Sequence, residues 1–182
     1  MSDNYGTVTF QCFTHEQVKE INKEIKKYLI EKEESTEAAQ NTSKIGDFFN
    51  IPCMPLMELL HPWLYQCQHV NKKIYGFDVY WDFHLGTFNY NVYGINGEYD
   101  WHVDLDSKGM QDMKLTCLLN LSEEPYEGGE FCTINSDKSD KKVEFSSGMG
   151  LVLISLIAHK VTPITKGERI TLTYWAFGPP WR

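Results

Sequence analysis

Apolar positions along the chain follow two different periods. Val18, Ile21, Ile25, Tyr28 and Leu29 recur at helical spacing, which predicts an amphipathic helix with one face laid on a sheet. Thr14 precedes this stripe and Gln17 stands three residues on, the spacing of a capping box. The Glu and Lys residues between the apolar positions read as a solvated face. A second stripe, Leu56, Leu59, Leu60, Trp63, Leu64, Cys67 and Val70, predicts another helix. Pro62 falls inside it and is expected to kink or divide it, because proline lacks the donor for the preceding turn. Thr7 to Phe13 reads as a short strand, and the polar stretch 34–44 as a linker or a lid.

From Tyr75 onward the period shortens to that of strands. Candidates are Val79 to Phe83, Thr87 to Tyr93, Tyr99 to Asp104, Lys114 to Leu121, Gly129 to Ile134, Lys141 to Phe145, Leu151 to Ile154 and Arg169 to Phe177. Gly94-Ile95-Asn96-Gly97 and Ser146-Ser147-Gly148 carry turn chemistry. Many short strands after a helical start predict an α+β fold: an antiparallel sandwich or barrel, a jelly roll, buttressed by helices. With 182 residues, one domain over 1–182 is expected, with 1–74 as helical support and 75–177 as the jelly-roll core.

Charge and cysteine usage narrow the classes of function. A formal net charge of -8 argues against broad binding of nucleic acid, which needs basic surface to displace counterions. The five cysteines are odd in number, scattered and without a CxxC pair, so neither a disulfide framework nor a zinc knuckle is indicated. The start of the chain has no basic and apolar leader pattern, and no run reaches the length of a membrane span. These features together predict a cytoplasmic protein, of a cell or of an infected host.

Candidate chemistry centres on Trp101-His102-Val103-Asp104. In a strand, His102 and Asp104 project to one side about 7 Å apart, so an imidazole and a carboxylate can share a cation. His159, closing the apolar run from Gly150 to Ala158, supplies a third ligand if the sheet folds back on itself. Two His and one carboxylate with open positions form the arrangement of non-haem Fe(II) oxygenases, whereas a closed structural site would use a fourth ligand. Arg169, beyond Pro163 and Gly167, would be an unpaired buried charge unless an anion met it, and its fork suits a carboxylate. A dicarboxylate bridging metal and Arg169 satisfies both.

Several strings then resemble one family in order and spacing. They are Asn91 to Tyr99, His102-Val103-Asp104, Leu118-Leu119-Asn120-Leu121-Ser122, Tyr126 to Phe131, His159 to Pro163 and Gly167-Glu168-Arg169. The sequence resembles the Fe(II)- and 2-oxoglutarate-dependent dioxygenases, nearest the prolyl 4-hydroxylase-like and bacterial or phage PKHD-type branch, over residues 75 to 177. The resemblance implies a double-stranded β-helix, Fe(II) held by His102, Asp104 and His159, and the distal carboxylate of 2-oxoglutarate held by Arg169. It also implies cosubstrate contacts from Tyr93 and Thr116, O2 as co-reactant, ascorbate as a further candidate cofactor, and hydroxylation with release of succinate and CO2. The related halogenases lack the carboxylate that Asp104 provides, which favours hydroxylation.

Substrate identity stays open between peptidyl proline, a free amino acid, another small molecule and a nucleobase, so the expected partner is a peptide or small-molecule substrate. A non-catalytic metal-binding module is the alternative from another class. Asp106 to Asp112 is expected to border the pocket mouth, with Trp101, Trp81 and Tyr126 as lining candidates. His61, His69 and His84 read as ordinary helix and turn residues.

Overall fold

Reciprocal hydrogen bonds start the first helix, α1 (His15–Ile30), in this computed structural model. The Thr14 backbone N–H donates to Gln17 Oε1 at 2.9 Å, and the Gln17 N–H donates to Thr14 Oγ1 at 3.4 Å. The helix buries Val18, Ile21 and Ile25 completely. The second helix, α2 (Met57–Val70), buries Leu60, Trp63, Leu64, Cys67 and Val70. Pro62 does not divide it. Both Pro62 and Glu58, whose carbonyl loses its helical donor, are exposed, so water can satisfy the orphan.

The structure describes residues 6–30, 44–105, 107–108, 111–134, 137 and 139–181. Positions 34–43 of the expected linker or lid therefore lie outside the described residues, as do Asp106, Gly109 and Met110 of the expected rim loop. In chain order the strands are β1 (Thr7–Gln11), β2 (Lys44–Ile45), β3 (Asp47–Pro52), β4 (Thr87–Tyr93), β5 (Glu98–His102), β6 (Ser107–Lys108) and β7 (Gln111–Asn120). They continue as β8 (Glu127–Gly128), β9 (Phe131–Ile134), β10 (Asp140–Lys142), β11 (Met149–Ile154), β12 (His159–Val161), β13 (Ile164–Lys166) and β14 (Arg169–Gly178). A wide antiparallel sheet runs β1-β11-β7-β14-β4-β3, with β6 paired to β7, and a narrower one runs β10-β9-β12-β5-β2. β13 and β8 form a separate two-stranded pair. This is the α+β jelly roll that the strand pattern predicts.

Strict alternation decides what each face of the wide sheet does. Phe88 and Tyr90 on β4, Leu115, Cys117 and Leu119 on β7, and Leu172, Tyr174 and Ala176 on β14 join the main core with α1 and α2. Their neighbours Asn89, Asn91, Thr116, Arg169, Thr171 and Thr173 are buried too, although polar, and point into the roll. A second apolar cluster, Leu118, Phe131, Phe145, Leu151, Leu153 and Val161, fills the rest of the space between the sheets. A polar floor inside an otherwise apolar roll is the arrangement a ligand pocket requires.

Two expectations are corrected. Val79 to Phe83 forms no strand, only a bridge from Tyr80 to Phe177. Asp82 Oδ1 accepts the His84 and Leu85 N–H groups and turns the chain, while Trp81 and Phe83 pack against Tyr174. The first 74 residues also hold a strand the pattern does not predict, β3, which extends the wide sheet at β4, whereas β1, paired with β11, is the strand expected from Thr7 onward. Trp181 packs edge-on against Phe77, with the Lys114 ammonium 3.5 Å from its ring centroid.

Candidate metal centre and pocket

Antiparallel pairing places His159, the first residue of β12, directly opposite His102, the last of β5. Asp104 follows β5 and is tied back through its N–H to the Ser155 carbonyl at 3.0 Å. His102 Nε2 lies 3.7 Å from Asp104 Oδ1, and His159 Nε2 lies 3.5 Å from Asp104 Oδ2. One donor atom from each of the three residues falls within 4.8 Å of the others. The sequence expectation that these residues meet is thus met in space.

Hydrogen bonds to the backbone fix both imidazoles. His102 Nδ1 stands 2.7 Å from the Asp100 carbonyl, and His159 Nδ1 stands 2.9 Å from the Ile157 carbonyl. A carbonyl only accepts, so each Nδ1 carries a proton and each ring turns its Nε2 toward Asp104. That is the outer-sphere pattern of metal-ligating histidines. Burial, with help from the neighbouring His159, pulls the His102 pKa down to about 4, which keeps its lone pair free near neutrality. Tyr99 stacks on His102 with centroids 3.4 Å apart, and Phe131 covers His159 at 5.2 Å.

Thr116 donates its hydroxyl proton to Asp104 Oδ2 at 2.6 Å. Arg169 opens β14 opposite Tyr93 and is 2 % exposed. Its guanidinium carbon lies 5.5 Å from the Tyr93 ring centroid and 5.7 Å from that of Phe145. Among the described residues no carboxylate pairs with it. A buried cation left with aromatic faces alone calls for an anionic ligand. Arg169, Tyr93, Thr116 and the His-Asp-His cluster all line one pocket.

A wider cleft of about 700 Å³ opens beside Asp104. Tyr80, Leu85, Val103 and Leu105 give it an exposed apolar wall, and Asn50, Asp82 and Gln111 give it polar edges. Tyr99, Asp104 and Trp175 line both the cleft and the inner pocket, so the cleft leads to the cluster. The lining candidates from sequence are not there. Trp81 is packed on Tyr174, Trp101 lies under the Lys160 ammonium, and Tyr126 accepts a hydrogen bond from Asn120. Sequence reasoning missed Trp175 and Lys44, which line the inner pocket. Strand alternation from Arg169 marks Trp175; no local pattern marks Lys44.

A family model for the 2OG-Fe(II) oxygenase superfamily matches residues 88–177, the span that carries all four of His102, Asp104, His159 and Arg169. Residues 88–177 of the chain match the 2OG-Fe(II) oxygenase superfamily. The chain is 35 % identical over 94 residues to a PKHD-type hydroxylase of Alteromonas mediterranea, an alignment covering 47 % of this chain and 41 % of that protein. A PKHD-type hydroxylase of Shewanella frigidimarina is 31 % identical over 94 residues, with 47 % and 41 % covered. The chain thus spans about two fifths of the length of these relatives. Among solved structures, a Pseudomonas putida prolyl-4-hydroxylase superposes with TM-score 0.66 at 18 % identity, covering 98 % of this chain and 95 % of that one. A Trichoplax adhaerens prolyl hydroxylase, in complex with a hypoxia inducible factor peptide fragment, superposes with TM-score 0.71 at 14 % identity, covering 97 % and 85 %. These structural likenesses carry the fold.

The donor set fits the metal and cosubstrate of the superfamily's name. Two imidazoles and a carboxylate suit a divalent iron with positions left open, and a buried guanidinium that no described carboxylate pairs suits the far carboxylate of 2-oxoglutarate.

Proposed function

We propose that the chain is an Fe(II)- and 2-oxoglutarate-dependent dioxygenase that hydroxylates its substrate. The observation that carries this is the pairing of one open His-Asp-His cluster with one buried arginine that no carboxylate among the described residues meets, in the same pocket. Bound Fe(II), 2-oxoglutarate and O2 would supply oxidative decarboxylation to succinate and CO2, coupled to hydroxylation of a C–H bond. The protein's share is positioning. His102 and His159 offer Nε2 lone pairs fixed by the Asp100 and Ile157 carbonyls, and Thr116 sets the rotation of Asp104. Arg169 binds the distal carboxylate, with Tyr93 against its guanidinium, and Phe131 shields the His159 side from water. Residues 1–182 act as one oxygenase domain in this reading, in the reducing cytoplasm that the five free thiols suit.

Peptidyl proline is the first substrate to try, because the fold relatives include prolyl hydroxylases and one of them holds a peptide fragment. The cleft beside Asp104, apolar on one wall and polar at its edges, supports that choice. Among the described residues no helix is long and apolar enough to cross a membrane. The test is turnover: anaerobically loaded protein given O2 should release succinate in step with 2-oxoglutarate loss, faster with a proline-containing peptide, and His102→Ala should abolish it. Succinate formation that survives His102→Ala would sink the assignment.

A further inference from the structure

Lys44 occupies the seam of the roll. On β2 it pairs with Tyr99 at the edge of the narrow sheet, while β3, starting at Asp47, pairs with β4 at the edge of the wide sheet. The chain therefore crosses between sheets at Gly46, where an added Cβ would meet the Val92 carbonyl at 2.8 Å. This crossing carries the Lys44 ammonium inward instead of out to water. Its Nζ donates to Asn91 Oδ1 at 3.0 Å and sits 3.7 Å from the Phe48 ring centroid and 5.1 Å from that of Tyr99.

The Asn91 acceptor is not free to swing. Its Nδ2 donates to the Asn89 carbonyl at 3.0 Å, the Thr171 carbonyl at 3.4 Å and Thr173 Oγ1 at 3.1 Å, so Oδ1 is aimed at Lys44. The ammonium has three donors, and among the described residues Asn91 takes one and no carboxylate forms an ion pair with it. Lys44 lines the same pocket as the His-Asp-His cluster and Arg169, one ring away from the cluster, since Tyr99 stacks on His102. Burial pulls its pKa down to about 8, with Asp104 the nearby charge opposing that shift.

Charge balance turns this into a ligand requirement. A divalent metal and Arg169 bring three positive charges, and Asp104 with a dicarboxylate brings three negative ones. Lys44 is then one half-buried positive charge in excess, facing the pocket and favouring a further anion or a second hydrogen-bonded oxygen. We infer that Lys44 forms a second carboxylate-binding position in the pocket, distinct from the Arg169 anchor. The inference rests on the oxygenase reading above. Two carboxylates can use the position: the metal-proximal carboxylate of the 2-oxo acid, or a carboxylate of the substrate.

Titration of the Mn(II)-loaded protein, which binds without turning over, separates these sources. Wild type, Lys44→Met and Lys44→Arg are each titrated with Mn(II) and then with 2-oxoglutarate by calorimetry. The saturated complex is next given acetate, whose proton relaxation is enhanced when it binds near Mn(II). If the cosubstrate is the source, Lys44→Met weakens 2-oxoglutarate by at least tenfold, leaves Mn(II) affinity unchanged, and Lys44→Arg restores binding. If the substrate is the source, 2-oxoglutarate affinity stays level and the acetate relaxation seen in wild type disappears in Lys44→Met. Unchanged 2-oxoglutarate affinity together with unchanged acetate relaxation overturns the inference and leaves the oxygenase reading standing. Failure of wild type to bind Mn(II) or 2-oxoglutarate overturns both. Lys44→Gln replaces Lys44→Met if the latter does not melt like wild type.

Discussion

Asp104 is the side chain on which the site turns, because it faces both imidazoles and is held by the Thr116 hydroxyl at 2.6 Å. Removing that one hydrogen bond frees the carboxylate to rotate. Thr116→Val is therefore expected to lower Mn(II) affinity by roughly 10- to 100-fold, the range for lost outer-sphere partners, with Thr116→Ser close to wild type. Calorimetric titration reads it; equal affinity in all three proteins would mean that Asp104 is fixed by its backbone alone. Arg169→Ala should weaken 2-oxoglutarate by at least about tenfold while Mn(II) affinity holds. An equal loss of both would make Arg169 structural. At this scale His102, Asp104, His159 and Arg169 were legible because the His-x-Asp pair, the later histidine and the arginine beyond it stand in the order and spacing of one family, and the fold brings them to one pocket. Lys44 was not legible. It enters the pocket through a crossing between two sheet edges, which depends on pairings far away in sequence.

The elements show a similar division. Stripes at helical spacing located α1 and α2 because burial against a sheet selects one face, and the capping box set where α1 begins. Thr14→Ala should lower stability by about 1 kcal/mol, and so Tm by about 2–4 °C, in a thermal melt. Gly148→Ala should cost more than the cap. Its φ is +77° and an added Cβ would lie 2.1 Å from the Phe13 carbonyl oxygen, so the turn into β11 must shift. A melt equal to wild type for Gly148→Ala would contradict the close approach. Thr87 to Tyr93 was read at its observed bounds, since the strand is buried over most of its length. Asp47–Pro52 was missed: it is an edge strand with one buried residue, Ile51, and a terminal proline, too little for a sequence pattern to register.

At the scale of the whole molecule, the wide sheet separates two jobs. One face packs α1 and α2 into the main core, and the other carries the polar floor that the narrow sheet covers with His102, His159 and Phe131. A metal held between these layers binds the folded chain and not the unfolded one. At about a hundredfold excess over its dissociation constant it should add about 2.7 kcal/mol, raising Tm by roughly 5–10 °C, and a chelator should reverse the gain. His102→Ala should remove the metal-dependent shift. The jelly roll itself was legible from strand count and turn chemistry, but the closing of His159 onto His102 was only implied, because the pairing of β12 with β5 inside the narrow sheet is set by the assembled fold.

The central claim is that one pocket holds Fe(II) and 2-oxoglutarate together. Its most direct test is the visible spectrum of the protein titrated with both in the absence of oxygen. A weak charge-transfer band is expected, requiring both components, persisting in Gly148→Ala wherever that variant folds, and absent in His102→Ala. Metal binding without any band that depends on 2-oxoglutarate would contradict the account.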